Sequence, residues 1–236
     1  MAVADSPRRS FVYRKLEAAG ASFAELDDGA VAADFGDPAG EAEAARRLGL
    51  TDLSPLPRAG FKGAGTAEWL AGQGVSVPEE SNQARRQADG SLIARLAPSE
   101  VLLLGDLEGS GALLRDLARS HDAAETPGPP RGYLVPRQDS HAWFLITGDQ
   151  AAAMFAKLCA VDLRPDAFAP GRIAQTTVAE LSAIVVRDDR GGVLAYHLLA
   201  NSAAAEYLWD CVIDAMSEFD GRPVGWAALS DLASNR

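Results

Sequence analysis

"RAGFKGAGTAEWLAGQGVSVP", residues 58–78, opens with three glycines and a lysine in residues 60–65, and two structural readings compete for it. A phosphate-binding loop needs a strand ahead of its glycines, a helix behind them and a lysine near the end of the loop. Here Gly60, Gly63 and Gly65 follow neither the dinucleotide nor the P-loop spacing, and Lys62 precedes the last two glycines. The stretch reads instead as a strand that turns at Gly63 into a helix through Trp69 and Leu70, with an apolar exit before Pro78. The same layout returns at 142–165, "AWFLITGDQAAAMFAKLCAVDLRP": strand, Gly148, helix reaching Leu158, apolar exit, Pro165.

The repetition continues downstream. "LIARLAPSEVLLLGDLEGSGALLRDL" (92–117) and "IVVRDDRGGVLAYHLLANSAAAEYLW" (184–209) each read as a hairpin whose second strand feeds a helix. Two copies are too few for a solenoid. The pattern predicts an α+β fold, one domain over 1–236, of two quasi-repeated strand–helix–hairpin–helix halves. The halves fall at about 50–120 and 133–216, share a core about a pseudo-twofold axis, and are joined by the Pro/Gly-rich 121–132. A short tail, 221–236, follows.

Ahead of the repeats, an amphipathic helix is expected from about Pro7 to Ala19, then strands in "ASFAEL" and "AVAADF". Asp37-Pro38 then reads as the N-cap and first turn of a helix through "EAEAARRL". The formal net charge of -11 argues against nucleic acid or an anionic membrane surface as partner. No apolar run reaches the length of a membrane span. Cys159 and Cys211 make no disulfide framework, so a reducing cytoplasm is expected. His121, His141 and His197 form no metal-ligand spacing, and a dedicated metal site is not expected.

"EAARRLGLTDLSPLPRAGFKGAGTAEWL", "DLRPDAFAPGRIAQTTVAEL" and "AEYLWDCVIDA" together resemble the glycine-cleavage T-protein (aminomethyltransferase) superfamily, a tetrahydrofolate-binding fold. Within it the chain is similar to the gamma-subunit family of heterotetrameric sarcosine oxidases. The likeness rests on Asp52, Leu53, Gly60, Lys62, Gly63, Trp69 and Leu70, then on Asp162–Leu181 and Ala205–Ala215. The transferase chemistry needs a carboxylate close to folate N5 to orient and polarise the nucleophile. In "ELSAIVV", Leu181 and Ser182 stand where the T-protein pattern has its acids. Asp188 and Asp189 come later, in "RDDRGG", and read as a hairpin turn. The related folate-dependent iron–sulfur maintenance proteins carry a cysteine where this chain has "AFAPGRIAQT", so that branch is excluded. Cys159 reads as core, on one helix with Met154, Phe155 and Leu158.

The resemblance implies a subunit of a tetrahydrofolate-linked N-methyl amine oxidase that is not catalytic alone. The alternative is a free-standing folate-binding or aminomethyltransferase-like protein. No catalytic residue is assigned. Gln175, Thr176 and Thr177 fall on the strand that faces the pterin pocket in the superfamily and are the candidate folate contacts. The resemblance leaves room for tetrahydrofolate, not covalently bound, and places any flavin or NAD on partner chains. Those partners would be larger alpha- or beta-type subunits. Trp143, at the start of a strand, and Trp226, in the tail, are the candidate interface anchors. Tyr196 and Trp209 read as core, and His197, pointing away from Tyr196, as solvent-exposed.

Overall fold

The computed structural model describes residues 8–26, 28–108, 110–123 and 131–234; most of the expected connection 121–132 and the start of the expected first helix lie outside them. The chain gathers into two compact units. One takes residues 1–55, 141–170 and 174–236, and the other 56–140 and 171–173.

The smaller unit holds a five-stranded sheet. Its strands are β4 (Arg58–Lys62), β5 (Gln83–Arg86), β6 (Leu92–Ala97), β7 (Glu100–Leu104) and β8 (Tyr133–Pro136), in the spatial order β5-β6-β7-β4-β8. Helices α3 (Thr66–Gly72) and α4 (Ala112–Asp122) belong to it. Phe61, Leu70, Ile93, Val101, Leu103, Leu114 and Leu117 form its buried cluster. Alternation sets Phe61 on β4, Ile93 on β6 and Val101 and Leu103 on β7 on one sheet face, with Leu70, Leu114 and Leu117 contributed by the helices.

The larger unit holds a six-stranded sheet: β3 (Gly49–Asp52), β9 (His141–Thr147), β10 (Ile173–Val178), β11 (Leu181–Arg187), β12 (Ala195–Asn201) and β13 (Arg222–Pro223). Their order is β10-β11-β12-β9-β3-β13. Helices α5 (Ala151–Phe155) and α6 (Ala205–Ser217) follow β9 and β12, the latter through a 3-10 turn at Ser202–Ala204. The hairpin of β1 (Ser22–Leu26) and β2 (Gly29–Asp34) and the helices α1 (Tyr13–Ala18), α2 (Pro38–Arg47) and α7 (Trp226–Ser234) complete this unit.

The repeat is therefore real in topology. Chain order β4-α3-β5-β6-β7-α4 matches β9-α5-β10-β11-β12-α6, and the spatial order β5-β6-β7-β4 matches β10-β11-β12-β9. Even the turns agree. Gly63 and Gly148 have φ of 128° and 108°. Their N–H groups bond to Ser99 O and Leu194 O, each the residue just before the second strand of the hairpin in its repeat, β7 or β12.

The leading strands exchange places. β3, just ahead of the first repeat, pairs antiparallel with β9 of the second, and β8, just ahead of the second, pairs antiparallel with β4 of the first. The sheets consequently divide near residues 55 and 140, whereas the sequence pattern puts the halves at 50–120 and 133–216. Local periodicity finds a strand but carries no information on its partner.

The first helix is shorter than expected because Ser10 Oγ accepts from Val12 N–H at 3.1 Å and holds a turn ahead of Tyr13. The expected second helix is α2, with Asp37 Oδ1 accepting from Gly40 N–H at 3.2 Å. The tail does not project. It forms α7 and packs on α2 and β2, leaving Trp226 half-buried.

One buried carboxylate fastens that tail. Glu41 is 2% exposed. Its Oε1 accepts from the N–H groups of Phe35 (2.7 Å) and Asp37 (3.3 Å), and its Oε2 from Gly225 N–H (2.7 Å). Hydrogen bonds to a charged group are worth about 1.5–3 kcal/mol each, and orphaned buried donors add a penalty. Glu41→Ala is expected to lower unfolding free energy by about 3 kcal/mol. Glu41→Gln, which swaps one acceptor oxygen for a donor, should lose about half of that in the same denaturation curves.

Candidate functional site

The hairpin β10–β11 places the candidate residues. Alternation along β10 leaves Gln175 and Thr177 exposed, and along β11 it leaves Ser182 exposed and Ile184 half-buried. Ile184 pairs with Leu199 on β12, and Leu199 with Trp143 on β9, so one sheet face runs across three strands. On that face lies a cavity of about 440 Å³ lined by His141, Gln175, Thr176, Thr177, Ser182, Ile184 and Leu199, among others. Thr176 also reaches inward, its hydroxyl 3.9 Å from Cys159 Sγ.

The lining is polar and bifunctional. Amide, hydroxyl and imidazole groups both donate and accept, and Ile184 and Leu199 supply an apolar floor. That donor set suits the polar edge of an uncharged heterocycle. Among the described residues, no carboxylate lines the cavity.

Beside it lies a buried polar chain that the sequence did not reveal. Trp143 is fully buried, so it is no surface anchor, in correction of the expectation above. Its Nε1–H donates to His197 Nδ1 at 3.0 Å. An indole can only donate, so Nδ1 is the acceptor and the ring proton sits on Nε2, 3.2 Å from Asp188 Oδ2. Arg190 pairs with the same oxygen at 3.2 Å. His197 is 1% exposed rather than solvated, because Trp143 and Asp188 satisfy both ring nitrogens.

Asp189 does turn-like work with a second role. It takes Arg187 through two bonds, 2.9 and 2.7 Å, while Arg187 Nη1 donates to the carbonyls of Pro165 and Phe168. Tyr196 is core, as the alternation predicts, and its hydroxyl donates to Leu163 O at 2.6 Å. Burial pushes this phenol up to about 12, which keeps it a neutral donor. Together these bonds hold the loop 163–168 against β11 and β12.

Cys159 is buried as expected, but α5 ends at Phe155 and the cysteine lies beyond it, where it bridges to Val178. Lys62 does not serve a phosphate loop. It pairs with Glu100 at 2.7 Å, and Gly63 and Gly65 shape the strand-to-helix turn. Among the described residues, no group of three or more His, Cys, Asp or Glu is placed to hold a metal ion, and no helix is long and apolar enough to cross a membrane.

In the smaller unit Asp106 stabilises the entry to α4. It is 2% exposed. Its oxygens accept from Ser110 N–H (3.1 Å), Ser110 Oγ–H (2.7 Å) and Gly111 N–H (3.1 Å). Burial pushes the carboxyl up, but these bonds outweigh it and leave it below its ordinary value. A lowered folded-state value means the stabilisation is complete above about pH 4 and is lost as pH falls through the folded value. Parent and Asp106→Asn should therefore differ in unfolding free energy at pH 7, and the difference should shrink as pH falls below about 4.

Known proteins share this architecture. Curated relatives named sarcosine oxidase subunit gamma occur in Arthrobacter sp. (29% identical over 156 residues, 66% of this chain and 71% of the relative) and in Corynebacterium sp. strain U-96 (28% over 160 residues, 68% and 73%). Among solved structures, a chain of the heterotetrameric sarcosine oxidase from Corynebacterium sp. U-96 in complex with pyrrole 2-carboxylate is similar, with TM-score 0.65 and 23% identity over 92% of this chain and 98% of that one. Glycine cleavage system aminomethyltransferase T from Bartonella henselae superposes with TM-score 0.74 and 17% identity, over 96% of this chain and 62% of that one. The α+β T-protein-like fold is thus established. The model of the GCVT N-terminal domain family matches residues 81–234, more than half of the chain, and the protein belongs to that family.

Proposed function

We propose that the protein is a gamma-type subunit of a sarcosine-oxidase-like, tetrahydrofolate-linked N-methyl amine oxidase, assembled with larger alpha- or beta-type chains that carry any flavin or NAD. One observation carries the non-catalytic part of this reading. The pocket face keeps amide, hydroxyl and imidazole groups, while Leu181 and Ser182 occupy the stretch where the transferase pattern has its acids, so among the described residues no carboxylate lines it to polarise a folate nitrogen. The relatives named as gamma subunits support the assembly.

Within this reading Gln175, Thr176 and Thr177 are the side chains that would hold a non-covalently bound tetrahydrofolate by its heterocyclic edge. What the folate would supply is a carrier for one-carbon units; this chain would contribute orientation.

Purified alone, the protein is expected neither to oxidise sarcosine nor to move a methylene group to tetrahydrofolate. Co-expressed with its cognate larger subunits, it should co-purify in fixed stoichiometry. Folate-dependent turnover by the isolated chain, abolished by one side-chain substitution, would instead make it a free-standing transferase.

A further inference from the structure

The glycine-rich stretch 60–65 has no part in the reading above, yet it builds a locked concave surface in the smaller unit. Gly63 and Gly132, with φ of 128° and 68°, are in contact: a Cβ on Gly63 would lie 3.0 Å from Gly132 Cα. A Cβ on Gly132 would fall 2.2 Å from Thr66 Oγ1 and 2.9 Å from Lys62 O. The Thr66 hydroxyl donates to Gly63 O at 2.8 Å, and His121 Nε2 lies 3.2 Å from Gly132 O. Between these glycines and the start of β8 opens a cleft of about 270 Å³ lined by Ala64, Arg131, Gly132 and Tyr133.

Two side chains at this cleft lack an intramolecular purpose. Tyr133 is 78% exposed, the highest value among the exposed large hydrophobic residues described. Arg131 has no hydrogen-bond or ion-pair partner among the described residues. Lys62 and Arg137 share a single carboxylate, Glu100, at 2.7 and 2.6 Å, and Asp122 stands beyond His121. Among these groups three cations, Lys62, Arg137 and Arg131, stand against two carboxylates, Glu100 and Asp122, on a chain whose formal net charge is -11. A lone exposed tyrosine needs no explanation. Its coincidence with an unpaired arginine on a glycine-locked cleft does.

We propose that this cleft docks an acidic segment of the larger subunit, with Tyr133 as the apolar anchor and Arg131 as the carboxylate contact. The proposal rests on the subunit reading given above. Tyrosine and arginine dominate interface energetics, and a preformed cleft avoids the ordering cost of binding. Recognition runs through side chains rather than strand addition, because β8 is short and ends in Pro136, which has no N–H to offer a new strand.

The test measures assembly of the full chain with its cognate larger subunits, at low and high salt. The variants are Tyr133→Ala, Arg131→Glu and, as control, Tyr207→Ala at the other exposed large hydrophobic. Tyr133→Ala and Arg131→Glu should each weaken the complex by about 30-fold, with thermal unfolding of the free chain unchanged. Tyr207→Ala should stay within about threefold, and the salt dependence should shrink in Arg131→Glu. If the parent assembles and both cleft variants bind as tightly, the cleft proposal is overturned and the subunit reading stands. If only Arg131→Glu is silent, the acidic nature of the docked segment is overturned. A parent that does not assemble removes both readings.

Discussion

Gly148→Val is expected to leave the protein without a stable fold under mild conditions, a loss of about 4 kcal/mol or more. Two effects add. Its φ of 108° lies where side chains other than glycine are strained by about 1–3 kcal/mol. A Cβ there would also stand 2.3 Å from both the carbonyl carbon and oxygen of Arg47, and 2.7 Å from Leu48 N. Those are backbone atoms at the end of α2, and they cannot turn aside as a flexible side chain could. The close approach has a structural purpose. Asp149 N–H and Gln150 N–H donate to Arg46 O and Arg47 O, both at 3.0 Å, and so satisfy carbonyls that the end of α2 leaves open. Moving the turn outward would break both bonds. Gly20 supplies the control, because it has φ of 87° and nothing within 4 Å of a built Cβ. Gly20→Ala should lose only about 1 kcal/mol. Urea denaturation of both variants would distinguish strain plus collision from strain alone. Equal losses would mean that the contact with α2 is not what holds the turn.

The exchanged strands give the second large effect. A fragment of residues 133–236, one half as the sequence divides it, should show no cooperative unfolding transition. It retains β9 through β13 but lacks β3, which sits between β9 and β13 and is buried at all four positions. Leu48, Leu50 and Leu53, on and beside β3, are each 0% exposed. Removing one such leucine side chain costs about 2–5 kcal/mol, so losing the group exceeds the stability of a small domain. The fragment would also carry β8 without its partner β4, leaving Leu134 and Tyr133 on an unpaired strand. Adding residues 1–55 in trans should restore a sigmoidal transition to the fragment by circular dichroism. A cooperative transition in the fragment by itself would mean that β3 is dispensable to the larger sheet.

Trp143 shows where residue-by-residue reading failed. Trp143 begins a strand next to a Pro/Gly-rich connection, and position along the chain made it look peripheral. Its strand lies instead between β12 and β3 in the larger sheet, and its indole is committed to His197. Trp226 follows Gly225, whose N–H is held by Glu41, so the tail is folded back before the tryptophan is reached. Gln175, Thr176 and Thr177, chosen through the family likeness, do share one cavity, joined there by His141 and Ser182. Ser182 drew notice only for the acid it replaces.

What the sequence determined by itself was local: the strand–Gly–helix turns at Gly63 and Gly148, the hairpins after them, the cap at Asp37 and the core placement of Tyr196 and Trp209. These follow from side-chain periodicity and backbone preferences within a few residues, which the chain writes out in order. It also exposed the duplication, because two copies of one pattern are visible without knowing how either folds. Only the tertiary structure decided which sheet receives β3 and β8, that His197 is neutral-donor to Asp188 inside the protein, and that a cleft forms where Gly63 meets Gly132. Each of these depends on groups far apart in the chain. A short apolar strand pairs with whichever edge buries it best, and a polar side chain is buried only where distant partners satisfy it, so neither outcome is encoded in its own neighbourhood.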